Sequence, residues 1–248
     1  LELWRAPIDN DLGTGWDRPD SRPDAEKWAA LGLDRLVSRL VSLTRTPDRV
    51  EVVTRIGAAA TDAGVTARWI WTAEAGGLAL ALEVVPEGGP EAEWARVGVS
   101  FALPGLAHDV RWFGRGPGPA YPDTGQAAHV GWFARSLDAL QERTVRPQES
   151  GARAEVRWAR LELPQGRALE LATPDAVALT VRPWSTETLA ATTHDHLLPD
   201  DDRTHVVLDL AQHGVGSAAC GPGVLPDYRL TARTVRGSIR FTLDQEAS

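Results

Sequence analysis

The stretch Val65-Thr66-Ala67-Arg68-Trp69-Ile70-Trp71 decides the fold class. Val65, Ala67, Trp69 and Trp71 recur with a period of two, so they share one face of an extended strand. After Ala73-Glu74-Ala75-Gly76-Gly77, which has the composition of a hairpin connection, the pattern resumes as Leu78, Leu80, Leu82 and Val84. Outward from this pair the alternation returns in Val97, Val99 and Phe101, in Val177, Leu179 and Val181, in Val206, Leu208 and Leu210, and in Ile239, Phe241 and Leu243. Asp62-Ala63-Gly64 turns the chain back from Glu51-Val52-Val53 into Val65. In 155–163 the apolar parity switches between Trp158 and Leu161, which predicts a β-bulge there.

Helical signals are few. Trp28, Leu31, Leu36, Leu40 and Val41 are spaced as one face of a helix, with Asp24 as its N-cap and Gly32 as an interruption. Ser185-Thr186-Glu187-Thr188 caps a short helix before Ala190, and residues 136–143 are spaced to form another. Pro86-Glu87-Gly88-Gly89-Pro90 is flanked closely by strand patterns and reads as a long hairpin loop rather than a domain boundary. The prediction is one domain over 1–248, all-β, a large antiparallel β-sandwich with few short helices.

Composition bounds the function. The 248 residues are 43% hydrophobic and 24% charged, enough to bury a sizeable core. Asp and Glu number 34 against 26 Lys and Arg, and the net charge of −8 repels phosphates, which argues against nucleic acid and anionic membrane as partners. No apolar run approaches the roughly 20 residues that cross a bilayer. Cys220 is the only cysteine, so no internal disulfide staples the fold. The chain opens Leu1-Glu2-Leu3-Trp4 and contains no methionine, which reads as a piece of a longer protein. Arg5, Asp9, Asn10 and Asp11 interrupt any stretch resembling a signal peptide. Most of the ten tryptophans are expected to fill the core, and any left exposed suit the apolar faces of sugars.

The common catalytic signatures are missing. No glycine-rich loop with a phosphate-binding lysine joins a strand to a helix, and Gly114-Arg115-Gly116-Pro117-Gly118 reads as a rigid turn. His194 and His196 share a face if extended, but a zinc site needs a third ligand, for which His205 and His213 are the candidates. Two surface histidines are the commoner outcome. Pro199-Asp200-Asp201-Asp202-Arg203 lacks the spaced ligands of a calcium loop and reads as a solvated turn. Glu149 and Asp123 are turn-borne carboxylates, and two carboxylates about 5–9 Å apart can run glycoside hydrolysis. Turn capping is the commoner role of such an Asp. No catalytic residue and no metal set is assigned in this chain.

Four motifs carry a resemblance. Leu3-Trp4-Arg5-Ala6-Pro7-Ile8-Asp9-Asn10-Asp11 resembles the W-R-A-P-x-D-N-D segment of the large β-galactosidases of glycoside hydrolase family 2. Trp112-Phe113-Gly114-Arg115-Gly116-Pro117 with Tyr121-Pro122-Asp123 is similar to its W-x-G-x-G-P-x-E-x-Y-x-D motif. Val145-Arg146-Pro147-Gln148-Glu149-Ser150-Gly151 is similar to V-x-P-x-E-x-G, and Gly214-Val215-Gly216 with Pro226-Asp227-Tyr228-Arg229-Leu230 to the closing G-x-G and P-E-Y-x-L. The motifs stand in family order across nearly the whole chain, and the resemblance is to the C-terminal, small-chain domain.

The resemblance implies a sandwich of the galactose-mutarotase type (a supersandwich) and a cytoplasmic, retaining parent enzyme that hydrolyses terminal β-D-galactosides such as lactose. It implies that the catalytic glutamates and the Mg2+ ligands lie in an upstream (β/α)8 barrel, so no cofactor belongs to this chain and the isolated chain is inactive. The implied partners are the galactoside, the upstream domains and further copies in a homo-oligomer. Gly13, in the segment after Asp11 that aligns with a mobile loop near the pocket, and Cys220, aligned where relatives carry a pocket tryptophan, are the implied rim residues. Pro119 stands where the family motif has Glu, and that carboxylate's role is lost here. Two rival readings are a free-standing mutarotase-like epimerase using His194, His196 and Glu149, and a non-catalytic carbohydrate-binding module using exposed tryptophans.

Overall fold

A computed structural model describes residues 1–13, 22–59, 61–88, 92–216 and 223–245. In chain order the elements are α1 (Asp9–Leu12), α2 (Asp24–Leu31), β1 (Val37–Arg45), β2 (Arg49–Gly57), β3 (Gly64–Glu74), β4 (Gly77–Glu87), β5 (Arg96–Pro104), β6 (Asp109–Gly116), β7 (His129–Ser136), β8 (Arg153–Leu163), β9 (Arg167–Arg182), α3 (Thr186–Ala191), β10 (Arg203–Gln212) and β11 (Val235–Gln245). One sheet runs β1-β2-β3-β4-β11-β9-β8-β6-β7, and β10 branches from β9 to pair with β5. The pairings between these strands are antiparallel.

The branch exists because β9 serves two layers. Arg167–Ala172 pair with β11, and Ala178–Arg182 pair with β10. Between them lies Thr173-Pro174-Asp175-Ala176, where the proline withholds a ladder N–H and Pro174, Asp175 and Ala176 are exposed. The second layer folds back over the first. Phe101 of β5 meets Phe241 of β11 edge to face at 5.9 Å, although their strands are not hydrogen-bonded neighbours. The core lies between, and Val65, Ala67, Leu80, Leu82, Val84, Val97, Trp112, Leu161, Leu179, Val206 and Leu208 are buried there. This is the antiparallel β-sandwich that the alternation predicts. The hairpin over 73–77 is also present, with Glu74 opposite Gly77.

Several local expectations are corrected. The helix over Trp28–Val41 stops at Leu31, where Gly32 takes a left-handed φ of +70° and its N–H caps Ala29 O at 3.0 Å. Leu40 and Val41 lie instead on β1, exposed. The N-cap is Pro23, and Asp24 begins the helix with its carboxylate accepting from Lys27 Nζ at 2.7 Å. Residues 136–143 form only a single 3-10 turn, Asp138–Leu140. The Ser185 cap is present, with its hydroxyl accepting from Thr188 N at 3.1 Å. In β8 the register breaks earlier than expected, around Val156. Val156, Ala159, Leu161 and Leu163 are buried, while Trp158 turns outward against Trp132, their rings 5.3 Å apart. The hairpin expected across 86–90 is not formed by the flanking strands: β4 pairs with β3 and β11, and β5 pairs with β10. Gly114–Gly116 are not a turn but the end of β6. Among the described residues no helix is long and apolar enough to cross a membrane.

Candidate functional site

The four motif segments meet at one place. Arg5 is buried and forks onto Asp11, Nε to Oδ2 at 3.0 Å and Nη2 to Oδ1 at 2.7 Å. The same guanidinium donates to His213 O at 3.1 Å and Gly214 O at 2.8 Å, and it lies 5.2 Å from the centre of the Trp28 ring. Asp11 also accepts from Ile8 N at 3.0 Å, which folds Asp9–Leu12 into α1. From α1, Asn10 Nδ2 donates to Val215 O at 2.9 Å. On the other flank Asp9 N donates to Gln148 Oε1 at 2.9 Å, and Arg146 Nη2 donates to Asp9 Oδ1 at 2.8 Å. Asp123 accepts from Val215 N at 2.9 and 3.0 Å and from Gly216 N at 2.8 Å. It therefore caps a distant backbone segment and not its own turn.

Between these segments opens a cavity of about 480 Å³, whose lining includes Asn10, Tyr121, Thr144, Gln148, Val215 and Gly216. Pro119 lines it too, so the residue that replaces the motif's Glu faces the cavity wall. Glu149 lies at its base with a fully buried side chain, 2.8 Å from Arg96 Nη2 and 3.2 Å from Arg182 Nη1. Burial alone would raise its pKa, but Arg96, Arg182 and Arg5 outweigh burial and hold it below the ordinary glutamate value. Tyr121 Oη donates to Glu149 Oε1 at 3.4 Å, and burial beside that negative charge pushes its pKa up. Asp209 is also buried, 3.5 Å from Arg96 Nε, and burial raises it to about 6 against the pull of Arg96. A Cβ at Gly98 would fall on the Asp209 carboxylate, which explains glycine there.

Arg96 and Arg182 are the residues of this network that sequence reasoning missed. Alternation puts Arg96 opposite Val97 and Val99, on the side facing water. In the fold both sides of residues 96–99 are buried, and Glu149, Asp209 and Glu2 gather on the Arg96 guanidinium, while the N-terminal segment pairs along β5 through Glu2 and Gly98, with N···O distances of 2.8 and 3.0 Å. Arg182 ends β9, where Thr180, Val181 and Arg182 are all buried. The available signal was a lone arginine beside a buried-type run in each case.

The other candidates do not converge. His194 and His196 are exposed around a 3-10 turn with ring centres 5.6 Å apart. His205 contacts Asp201 at 2.9 Å, and buried His213 uses Nδ1 to accept from Leu230 N at 3.1 Å. Asp201 accepts from Arg203 N at 3.1 Å, as a solvated turn would. Among the described residues there is no group of three or more His, Cys, Asp or Glu that could hold a metal ion. Gly13 is exposed at the C-terminus of α1, with φ −85° and its N–H on Asp9 O at 3.1 Å. Cys220 lies outside the described residues, as does the loop after Gly13.

Residues 1–243 match the family described as beta galactosidase small chain. Among similar proteins, the beta-galactosidase of Arthrobacter sp. (strain B7) is 35% identical over 97% of this chain and 26% of its own length. That of Staphylococcus xylosus is 27% identical over 96% of this chain and 23% of its own length. The chain thus spans about a quarter of the length of these relatives. Among solved structures, a galactose mutarotase related enzyme from Lactobacillus acidophilus is 10% identical, with TM-score 0.46 over 85% of this chain and 72% of that one. A putative aldose 1-epimerase from Escherichia coli K12 is 12% identical, with TM-score 0.43 over 84% of this chain and 68% of that one.

Proposed function

This chain belongs to the beta galactosidase small chain family, and from that membership we infer that it is the non-catalytic C-terminal domain of a larger retaining β-galactosidase. The parent hydrolyses terminal β-D-galactosides such as lactose with a carboxylate pair supplied from outside this chain. The domain packs on the upstream domains, and its cavity forms part of the wall of the galactoside pocket. Gly13 and Cys220 stand at the rim of that pocket, where a thiol offers less apolar area than an indole and no π-face. Mg2+ of the parent takes its ligands elsewhere: at this site Asp11 and Glu149 are engaged by arginines and Asp123 by backbone amides. Cytoplasmic residence and a homo-oligomeric parent belong to the same proposal.

One observation carries the reading. A general acid of a glycosidase needs a raised pKa and a proton within reach of the substrate. Glu149 has the reverse: a fully buried side chain, two arginines in contact and a lowered pKa. The network is built to hold backbone segments in place. Assay of the full-length enzyme and of this chain alone on a nitrophenyl β-galactoside tests it. Turnover by the full-length enzyme only is expected, and turnover by the purified chain alone overturns the assignment. Catalysis of this class accelerates by many powers of ten, so even a weak intact site is visible.

A further inference from the structure

Val215 and Gly216 line the cavity, and their backbone is gripped from both sides. On the N–H side stands the Asp123 carboxylate, with the contacts of 2.8–3.0 Å given above. On the carbonyl side stand Asn10, 2.9 Å from Val215 O, and Arg5, 2.8 Å from Gly214 O. Gly214 accommodates this approach, because a Cβ there would fall on the Asp123 carboxylate and on Val224. Gly216 has φ +80°, a left-handed conformation in which glycine carries no Cβ penalty. Hydrogen bonds to a charged acceptor are the stronger kind, and two backbone N–H groups lose theirs together if the carboxylate goes.

We propose that Asp123 is a positioning residue for galactoside binding: by holding the Val215 and Gly216 N–H groups it fixes the cavity wall that meets the substrate, without touching the substrate itself. This rests on the reading of the cavity as part of the galactoside pocket. An ordinary turn cap is satisfied within its own turn. Asp123 reaches 92 and 93 residues along the chain, and the segment it reaches is tied in turn to α1 through Asn10. The two walls on either side of the cavity are thereby set by one carboxylate.

The test uses the full-length enzyme. Asp123→Ala is expected to lower kcat/KM for a nitrophenyl β-galactoside by tenfold or more, with most of the loss in KM. Asp123→Asn keeps one acceptor oxygen and should recover about half of that loss on a logarithmic scale. It also serves as the reporter if the alanine variant does not fold, with KM raised about threefold. Thr204→Val is the control. It removes a hydroxyl that accepts from Ala107 N at 2.7 Å, away from the cavity lining, and should lower the melting temperature without moving KM. An inactive wild-type enzyme overturns the functional reading beneath. An active wild-type enzyme whose Asp123 variants lose stability but keep KM overturns this proposal alone.

Discussion

Asp209 and Glu149 share the Arg96 guanidinium, yet burial and charge move them in opposite directions. Asp209 titrates near 6 in the fold, so between about pH 4 and 6 the native state keeps a proton that the unfolded chain releases. More protons on the native side mean that this group's contribution to stability falls as pH rises through that window. Asp209→Asn should flatten the fall, seen as a smaller drop in melting temperature from pH 4 to 6 than in the wild type. Glu149 works the other way. Its folded pKa is lowered, so its stabilisation is full above the unfolded glutamate value and is lost as pH falls through the folded one. Glu149→Gln keeps the shape and removes the charge, leaving Arg96 and Arg182 with too little countercharge. The expected cost is about 3–5 kcal/mol, typical of breaking a buried ion pair, read by urea denaturation at neutral pH. None of this coupling was legible in the sequence. Arg96, Glu149, Arg182 and Asp209 are dispersed along the chain, and period-two reading sends a charged residue outward by default.

At the scale of elements, the strands were legible and the exceptions have physical causes. Alternation identified β3, β4, β9, β10 and β11 because each keeps one side on the core. β1 was misread because a register break falls between Leu40 and Ser42. The break sets Leu40 and Val41 side by side, and with Leu36 they imitate the spacing of a helix face. β1 also offers no burial contrast to read, being exposed along its whole length. The turn that ends α2 was legible in Gly32 alone. Its φ of +70° disfavours other residues, and a Cβ there would collide with Ala58 Cβ. Gly32→Ala is therefore expected to destabilise by more than about 1 kcal/mol, beyond the ordinary glycine-to-alanine gain of helix propensity. A melting temperature at or above the wild type's would show that the turn relaxes freely. The motifs of the site were legible as a set, since Arg5, Asp11, Asp123, Gly214 and Gly216 all take part in the convergent network. Their roles were not, because each acts through a partner far along the chain.

For the molecule as a whole, the consequence is closure. Arg5 binds carbonyls 208 and 209 residues away, and Glu2 pairs with Gly98 in the second layer, so the N-terminal segment is built into the fold. Closing so long a loop costs about 0.6 kcal/mol more for each doubling of its length, roughly 3 kcal/mol beyond a ten-residue loop. That cost is offset locally by a buried fork onto Asp11, two further carbonyls and the Trp28 ring. Removing Arg5 leaves Asp11, 1% exposed, without its cation. Arg5→Ala should then cost about 3–5 kcal/mol, which for a chain of this size lowers the melting temperature by roughly 6–20 °C. Because the segment is shared between the ends of the chain, the whole transition should move while staying single. A separate early transition for the first residues would mean that they dock independently. The double-mutant cycle sharpens the point. With Arg5 already replaced, Asp11→Ala removes an unpaired buried charge, so its cost should shrink well below its cost in the wild type, giving a coupling of about 0.5–3 kcal/mol. Additive losses would mean that the pair is held by its surroundings and that the two ends of the chain are joined by the carbonyl contacts alone.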